Sequence, residues 1–161
     1  MGPYGIQDET SAVPIVFRYM QQETERGKHL GASRSARLDL TSGYFSLYEP
    51  YQALVLATRF AVRIIAAAPQ SNGFFGSKGI SGYVADAYTK MQIRFWNQLK
   101  AASRAEGPDR VEIREWRKEG WTYHAKGTWL NYGPTHSLSF QLGVDVCHLD
   151  APRVLAHASW L

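Results

Sequence analysis

His124 and Lys126 stand two positions apart in Trp121-Thr122-Tyr123-His124-Ala125-Lys126-Gly127-Thr128-Trp129-Leu130. On an extended strand, side chains two apart project to one face, so an imidazole and an ammonium would point at one ligand. On a helix they would lie roughly 200° apart around the axis. Such a pair suits phosphoryl chemistry: the imidazole attacks phosphorus or protonates a leaving oxygen, and the fixed cation offsets charge on the non-bridging oxygens. A surface strand with two polar residues would carry the same triplet, and chance alone produces His-x-Lys in a chain with five His.

A second feature is the glycine-rich run Asn72-Gly73-Phe74-Phe75-Gly76-Ser77-Lys78-Gly79. Its backbone N–H groups and Lys78 could turn toward a phosphate. It is not a Walker A loop, because Ser77 separates Gly76 from Lys78. An ordinary strand-to-helix connection would look the same. Trp96, Trp116, Trp121 and Trp129 could stack on bases, although tryptophans at these spacings more often pack into a core.

The elements that must hold these residues follow from periodicity. From Thr10 to about Arg26, Val13, Val16, Phe17 and Met20 recur at helical spacing, Pro14 suits a first turn, and Gly27 supplies a stop. Arg37 to Ser42 alternates, with Leu38 and Leu40 on one face, and reads as a strand ended by Ser42-Gly43. Pro50 to Phe60 reads as a short helix with Leu54, Val55 and Leu56 inward. Val62 to Ala68 reads as a buried strand, and Ser71 to Gly82 as a loop. Tyr83 to Arg104 carries the longest helical pattern, with Met91, Phe95 and Leu99 four apart; strands are expected from Arg110 to Trp116 and from Trp121 to Tyr132. The order implies an α/β fold in which helices cover a mixed β-sheet. Residues 133–161 hold a single Arg, no Lys and no sustained period, and remain unassigned.

Composition narrows the class. At 161 residues, 45% hydrophobic and 20% charged, the chain suits one globular core rather than disorder or a collagen-like repeat. Cys147 is the only cysteine, which excludes an intramolecular disulfide and a cysteine-based zinc cluster, and no metal site is assigned. The apolar stretch from Ala53 to Pro69 is broken by Arg59 and Arg63, short of the about 18 uninterrupted residues of a spanning helix. The opening MGPYGIQDET has neither a secretory nor an organelle-presequence pattern. A net charge of +4 is compatible with phosphate-bearing partners. Its one concentration, Arg18, Arg26, Lys28, Arg34 and Arg37 against Glu23 and Glu25, is a solvated face or a candidate surface for anionic headgroups.

Three segments together resemble a known family. Leu40-Thr41-Ser42-Gly43-Tyr44-Phe45, the glycine-rich run from Asn72 to Gly79, and Gly120 to Leu130 occur in this order and spacing in the mitochondrial phosphatidylglycerophosphate synthases. These are CDP-diacylglycerol:glycerol-3-phosphate 3-phosphatidyltransferases of the phospholipase D superfamily. The resemblance covers roughly residues 1–132, and Met1 to Ile6 is similar to an internal stretch of those enzymes. It implies a phospholipase D-like half, an incomplete α/β unit carrying the second of two His-x-Lys motifs. Residues 1–132 are then the C-terminal domain, and residues 133–161 an aberrant tail.

By the resemblance, the first-half histidine attacks phosphorus to form a phosphohistidine. His124 would serve as general acid and then general base, and Lys126 would stabilise the transition state. Asn72, Gly73, Lys78 and Asn131 are the candidate phosphate- or substrate-binding residues. Asn131 stands where the superfamily pattern has Asp, and His29 is followed two positions on by Gly31 rather than Lys, so the N-terminal half-site is missing from this chain. The implied substrates are CDP-diacylglycerol and glycerol 3-phosphate. The implied setting is a peripheral contact on the matrix side of the mitochondrial inner membrane. The mechanism requires no cofactor, divalent-cation dependence is left open, and no nucleic acid is expected. The chain alone is expected to be inactive. The alternatives are another phospholipase D-type phosphodiesterase and a nucleic-acid-binding module.

Overall fold

The computed structural model describes residues 9–29, 36–45, 47–131 and 137–140. Its elements are α1 (Glu9–His29), β1 (Arg37–Ser42), α2 (Glu49–Ala57), β2 (Ala61–Ala67), α3 (Val84–Ala101), β3 (Val111–Trp116), β4 (Lys126–Asn131) and β5 (Ser137–Phe140). They build one mixed sheet in the order β3-β2-β1-β4-β5, with β1 parallel to β2, β2 parallel to β3, and both β4 pairings antiparallel. The α/β reading therefore holds. Parallel neighbours need crossovers, and α2 and α3 supply them in succession.

The register explains the core. Leu38, Val62, Val111 and Leu130 are aligned across four strands and each is fully buried. They join Phe17 and Met20 of α1, Val55 of α2, and Phe95 and Leu99 of α3 in one cluster. Full burial of each such side chain contributes about 1.5–3 kcal/mol relative to exposure. The alternate residues of the strands face the other way and include a polar group: Asp39 pairs with Arg63 at 2.8 Å and with Arg37 at 3.1 Å, and accepts from Asn131 at 2.8 Å.

Several boundaries differ from the periodicity reading. Gly27 does not stop α1, which runs through it to His29; a helical glycine costs only about 1 kcal/mol, too little to end a packed helix. The third helix stops at Ala101 rather than Arg104. There Ser103 adopts φ 53° and the Arg104 amide turns back to the Leu99 carbonyl at 2.8 Å, a left-handed terminus that satisfies a helix-end carbonyl. Met91 is exposed, while Phe95 and Leu99 are buried as expected. The expected loop after β2 holds two short 3-10 turns, Pro69–Ser71 and Gly79–Tyr83. The resemblance at residues 1–6, the basic residue Arg34, and most of the segment from 133 onward lie outside the described residues, although β5 falls within that segment.

The largest correction concerns the strand that carries the His-x-Lys. β4 begins at Lys126, not Trp121, so His124 precedes the strand. The reason is the register: Lys126 pairs with Ser42, the last residue of β1, and the partner strand offers nothing further to pair with.

Candidate active site

Because β4 runs antiparallel to β1, the entry into β4 meets the exits of β1 and β2, where the glycine-rich connection also emerges. Residues 121–125 are held there without a ladder. The Tyr123 amide donates to the Ser71 carbonyl at 2.9 Å. The buried Ser71 hydroxyl accepts from the Lys118 amide at 3.2 Å and donates to the Lys118 carbonyl at 3.5 Å. The Tyr123 ring stacks on Trp116 with centroids 5.0 Å apart. Its hydroxyl bonds to Thr41, whose own hydroxyl donates to the Ile65 carbonyl at 3.3 Å. Burial pushes the Tyr123 phenol above its ordinary range, partly opposed by the Thr41 hydrogen bond.

Tyr44 is the hub of the site. Its ring meets His124 edge-on at 5.4 Å, stacks on Tyr88 of α3 at 5.3 Å and tilts against Phe74 at 5.7 Å. It also lines, with Lys126, Ser42, Phe45, Tyr48 and Tyr51, a largely apolar cavity of about 440 Å³. Tyr44 thus stands between His124, which meets its ring, and the cavity that Lys126 lines, although the common-strand argument that paired the two does not apply. Gly43 makes this possible: a β-carbon there would lie 2.6 Å from the Tyr123 carbonyl oxygen and 3.0 Å from His124 Cα.

The remaining candidates divide. Gly73 belongs to the site's wall, since a β-carbon on it would come 3.0 Å from the Tyr44 hydroxyl and 3.5 Å from the Thr122 methyl. Asn72 is buried and uses its carbonyl oxygen to accept from the Phe74 amide at 2.9 Å, which shapes the turn. Lys78 sits on the exposed part of the same loop, immediately before the second 3-10 turn. Asn131 is not brought to the site. It lies five residues along β4 from Lys126, about 17 Å at strand rise, and its amide is spent on Asp39. Among the described residues no three His, Cys, Asp or Glu side chains cluster as metal ligands would.

Thr41, Tyr44 and Tyr123 stand within the motifs, yet the sequence alone assigns them no role. The tight Ser-Gly-Tyr after a strand was the available signal for Tyr44. Nothing in the sequence pointed to Ser71, whose importance comes from contacts made 47 positions away.

No protein-family model matches the chain. Curated proteins do. Over 130 residues, 81% of this chain, it is 43% identical to the mitochondrial CDP-diacylglycerol–glycerol-3-phosphate 3-phosphatidyltransferase of Gallus gallus and 42% identical to that of Homo sapiens, covering 21% of each. Over most of its length the chain is thus homologous to one segment of the CDP-diacylglycerol–glycerol-3-phosphate 3-phosphatidyltransferases. A Saccharomyces cerevisiae member is 32% identical over 130 residues, 73% of this chain and 24% of that protein. The chain spans about a fifth of the length of the curated family members it matches. A crystal structure of the phosphatidylserine synthase of Haemophilus influenzae shares the fold over 59% of this chain and 22% of the solved one, with a TM-score of 0.50 and 22% identity.

Proposed function

We propose that this chain carries one half of a phosphatidyltransferase site, the half built on His124 and Lys126. The reaction displaces CMP from CDP-diacylglycerol and passes the phosphatidyl group to glycerol 3-phosphate. The observation that carries this reading is the match to phosphatidyltransferases named for that reaction, 43% identical over 130 residues that make up 81% of this chain. The His-x-Lys at the entry into β4 is the chemistry such a match needs.

The steps follow from what the two side chains can do. A histidine from the other half attacks phosphorus and forms a P–N bond as the bond to CMP breaks; His124 gives the departing CMP oxygen its proton. His124 then takes the proton of the glycerol 3-phosphate hydroxyl, which attacks the phosphohistidine and releases the first histidine. Lys126 offsets the negative charge on the non-bridging oxygens in both steps. Tyr44, edge-on to the imidazole, is a positioning residue. The loop at Asn72, Gly73 and Lys78 faces the incoming phosphates, and Asn131 contributes through Asp39 to the sheet rather than to substrate. This route uses no cofactor. No helix among the described residues is long and apolar enough to cross a membrane, and the lipid substrate is met by peripheral contact, on the matrix side of the mitochondrial inner membrane. The Gallus gallus and Homo sapiens relatives are themselves named mitochondrial.

The test is CMP release from CDP-diacylglycerol in the presence of glycerol 3-phosphate. The chain alone is expected to give none above background. Joined to a half carrying the other His-x-Lys, it is expected to turn over, and His124→Ala to lower the rate by about 10²–10⁴-fold. Steady release by the chain alone, abolished by His124→Ala, would overturn the half-site reading. An unchanged rate for His124→Ala in the joined protein would overturn the role of His124.

A further inference from the structure

The connection between β2 and α3 exposes bulky apolar side chains that the core does not use. Ile80 is 88% exposed, Tyr83 72% and Phe75 57%, with Phe74 beside them. From Pro69 to Ala85 there is no Asp or Glu, and the one charge is Lys78. The loop is fastened to a second one. Ser71 exchanges two hydrogen bonds with Lys118, and Gly73 lies against Thr122. On that second loop the Lys118 ammonium sits 3.7 Å over the exposed Trp121 ring. The two loops together carry Phe74, Phe75, Ile80, Tyr83 and Trp121, with Lys78, Arg117 and Lys118 against the one carboxylate of Glu119.

We infer that these two loops form an interfacial surface that seats the protein on an anionic lipid bilayer. The side chains are the types that partition into the headgroup and acyl boundary: a Trp and a Tyr with polar tips, aliphatic and phenyl tips beside them, and cations to meet lipid phosphates. A protein partner would demand a complementary, packed pocket for each anchor. Tips that stand nearly free of their own chain, set between Gly73, Gly76, Gly79 and Gly82, suit a fluid phase that closes around them.

The placement gives the surface a use. Phe74 touches Tyr44 and Tyr44 touches His124, so the membrane plane would lie one side chain away from the imidazole. A phosphodiester held at the headgroup level then reaches His124 without leaving the bilayer. The choice of a lipid surface as the partner rests on the phosphatidyltransferase reading above. The surface is distinct from the basic residues Arg26 and Arg37, which in this fold are already engaged by Glu23 and Asp39.

The experiment is flotation of the 161-residue chain with vesicles of phosphatidylcholine containing phosphatidylglycerol, and with phosphatidylcholine alone. The chain is expected to float with the anionic vesicles, and Phe75→Ser combined with Ile80→Ser to lower the bound fraction about tenfold or more with an unchanged thermal melt. As an independent readout, Ile80→Trp is expected to show a blue-shifted emission on vesicles and quenching by brominated acyl chains. Flotation unchanged in the double variant, no flotation of the wild type, or an unshifted Ile80→Trp spectrum would overturn the inference. So would self-association in the absence of lipid that the double variant abolishes, which would make this a contact between copies. His124→Ala is expected to float like the wild type. Turnover of the joined protein left unchanged by His124→Ala, with vesicle binding intact, therefore counts against the proposed function alone, and His124-dependent turnover without vesicle binding against this surface alone.

Discussion

Gly43 lies against the backbone of His124, so closely that a β-carbon would come 2.6 Å from the preceding carbonyl oxygen and 3.2 Å from the imidazole Cδ2. The close approach is between two backbones, and backbone cannot swing aside as the end of a long side chain can.

Gly43→Ala is therefore expected to push residues 121–125 outward and to destabilise the fold by about 1–3 kcal/mol, the usual cost of overpacking. Urea denaturation measures the loss. In the joined two-half protein, turnover should fall further than stability alone accounts for, because Tyr44 and the imidazole separate.

Phe95 is fully buried and packs tilted against Phe45 with ring centroids 5.7 Å apart, which ties α3 to the segment leaving β1. Phe95→Ala is expected to cost about 3–5 kcal/mol by loss of burial and the cavity left behind. Thermal and urea melts should agree on the size of the change.

Asp39 and Arg63 pair at 2.8 Å with only 13% of each side chain exposed. Asp39→Ala takes an acceptor from Arg63, Arg37 and Asn131 together, and is expected to cost about 1–3 kcal/mol. Combining it with Arg63→Met should cost less than the sum of the two single changes. A double-mutant cycle is expected to give a coupling of about 0.5–3 kcal/mol, and strict additivity would mean that the pair does not interact.

Tyr123 gives a pH signature at the alkaline end. Burial raises the folded phenol above its ordinary value of 10.0, so the folded state holds the proton longer than the unfolded chain does. Stability from this group is complete below the unfolded value and is lost as pH rises through the folded one. Unfolding free energy is expected to decline above about pH 10. Tyr123→Phe should flatten that decline while lowering stability at neutral pH by about 0.5–1.5 kcal/mol through loss of the Thr41 hydrogen bond.

The sheet was legible because its strands carry their own period. Leu38 and Leu40, and the run from Val62 to Ala68, announce buried faces whatever they pair with. The start of β4 was not legible, since Trp121 to Leu130 alternates well enough for a longer strand, and what shortens it is the end of β1 at Ser42. The same holds for Asn131, whose position after the His-x-Lys suggests proximity in sequence, while the extended backbone carries it away to Asp39. Tyr44 could be noticed but not understood from sequence, because Phe74, Tyr88 and His124 reach it from three separate segments.

The docking of β4 beside β1 has a consequence for how the molecule is made. The neighbours β1, β2 and β3 are joined by shorter crossovers, whereas Asp39 meets Asn131 across 92 positions and Thr41 meets Tyr123 across 82. Closing that long loop costs more chain entropy than any earlier pairing and slows folding accordingly. During synthesis, β1 and β2 with α1, α2 and α3 leave the ribosome before residue 124, and β3 follows them just ahead of it. The imidazole therefore arrives after the strands it docks beside, and the fluorescence of Trp116 as Tyr123 stacks on it would time that docking.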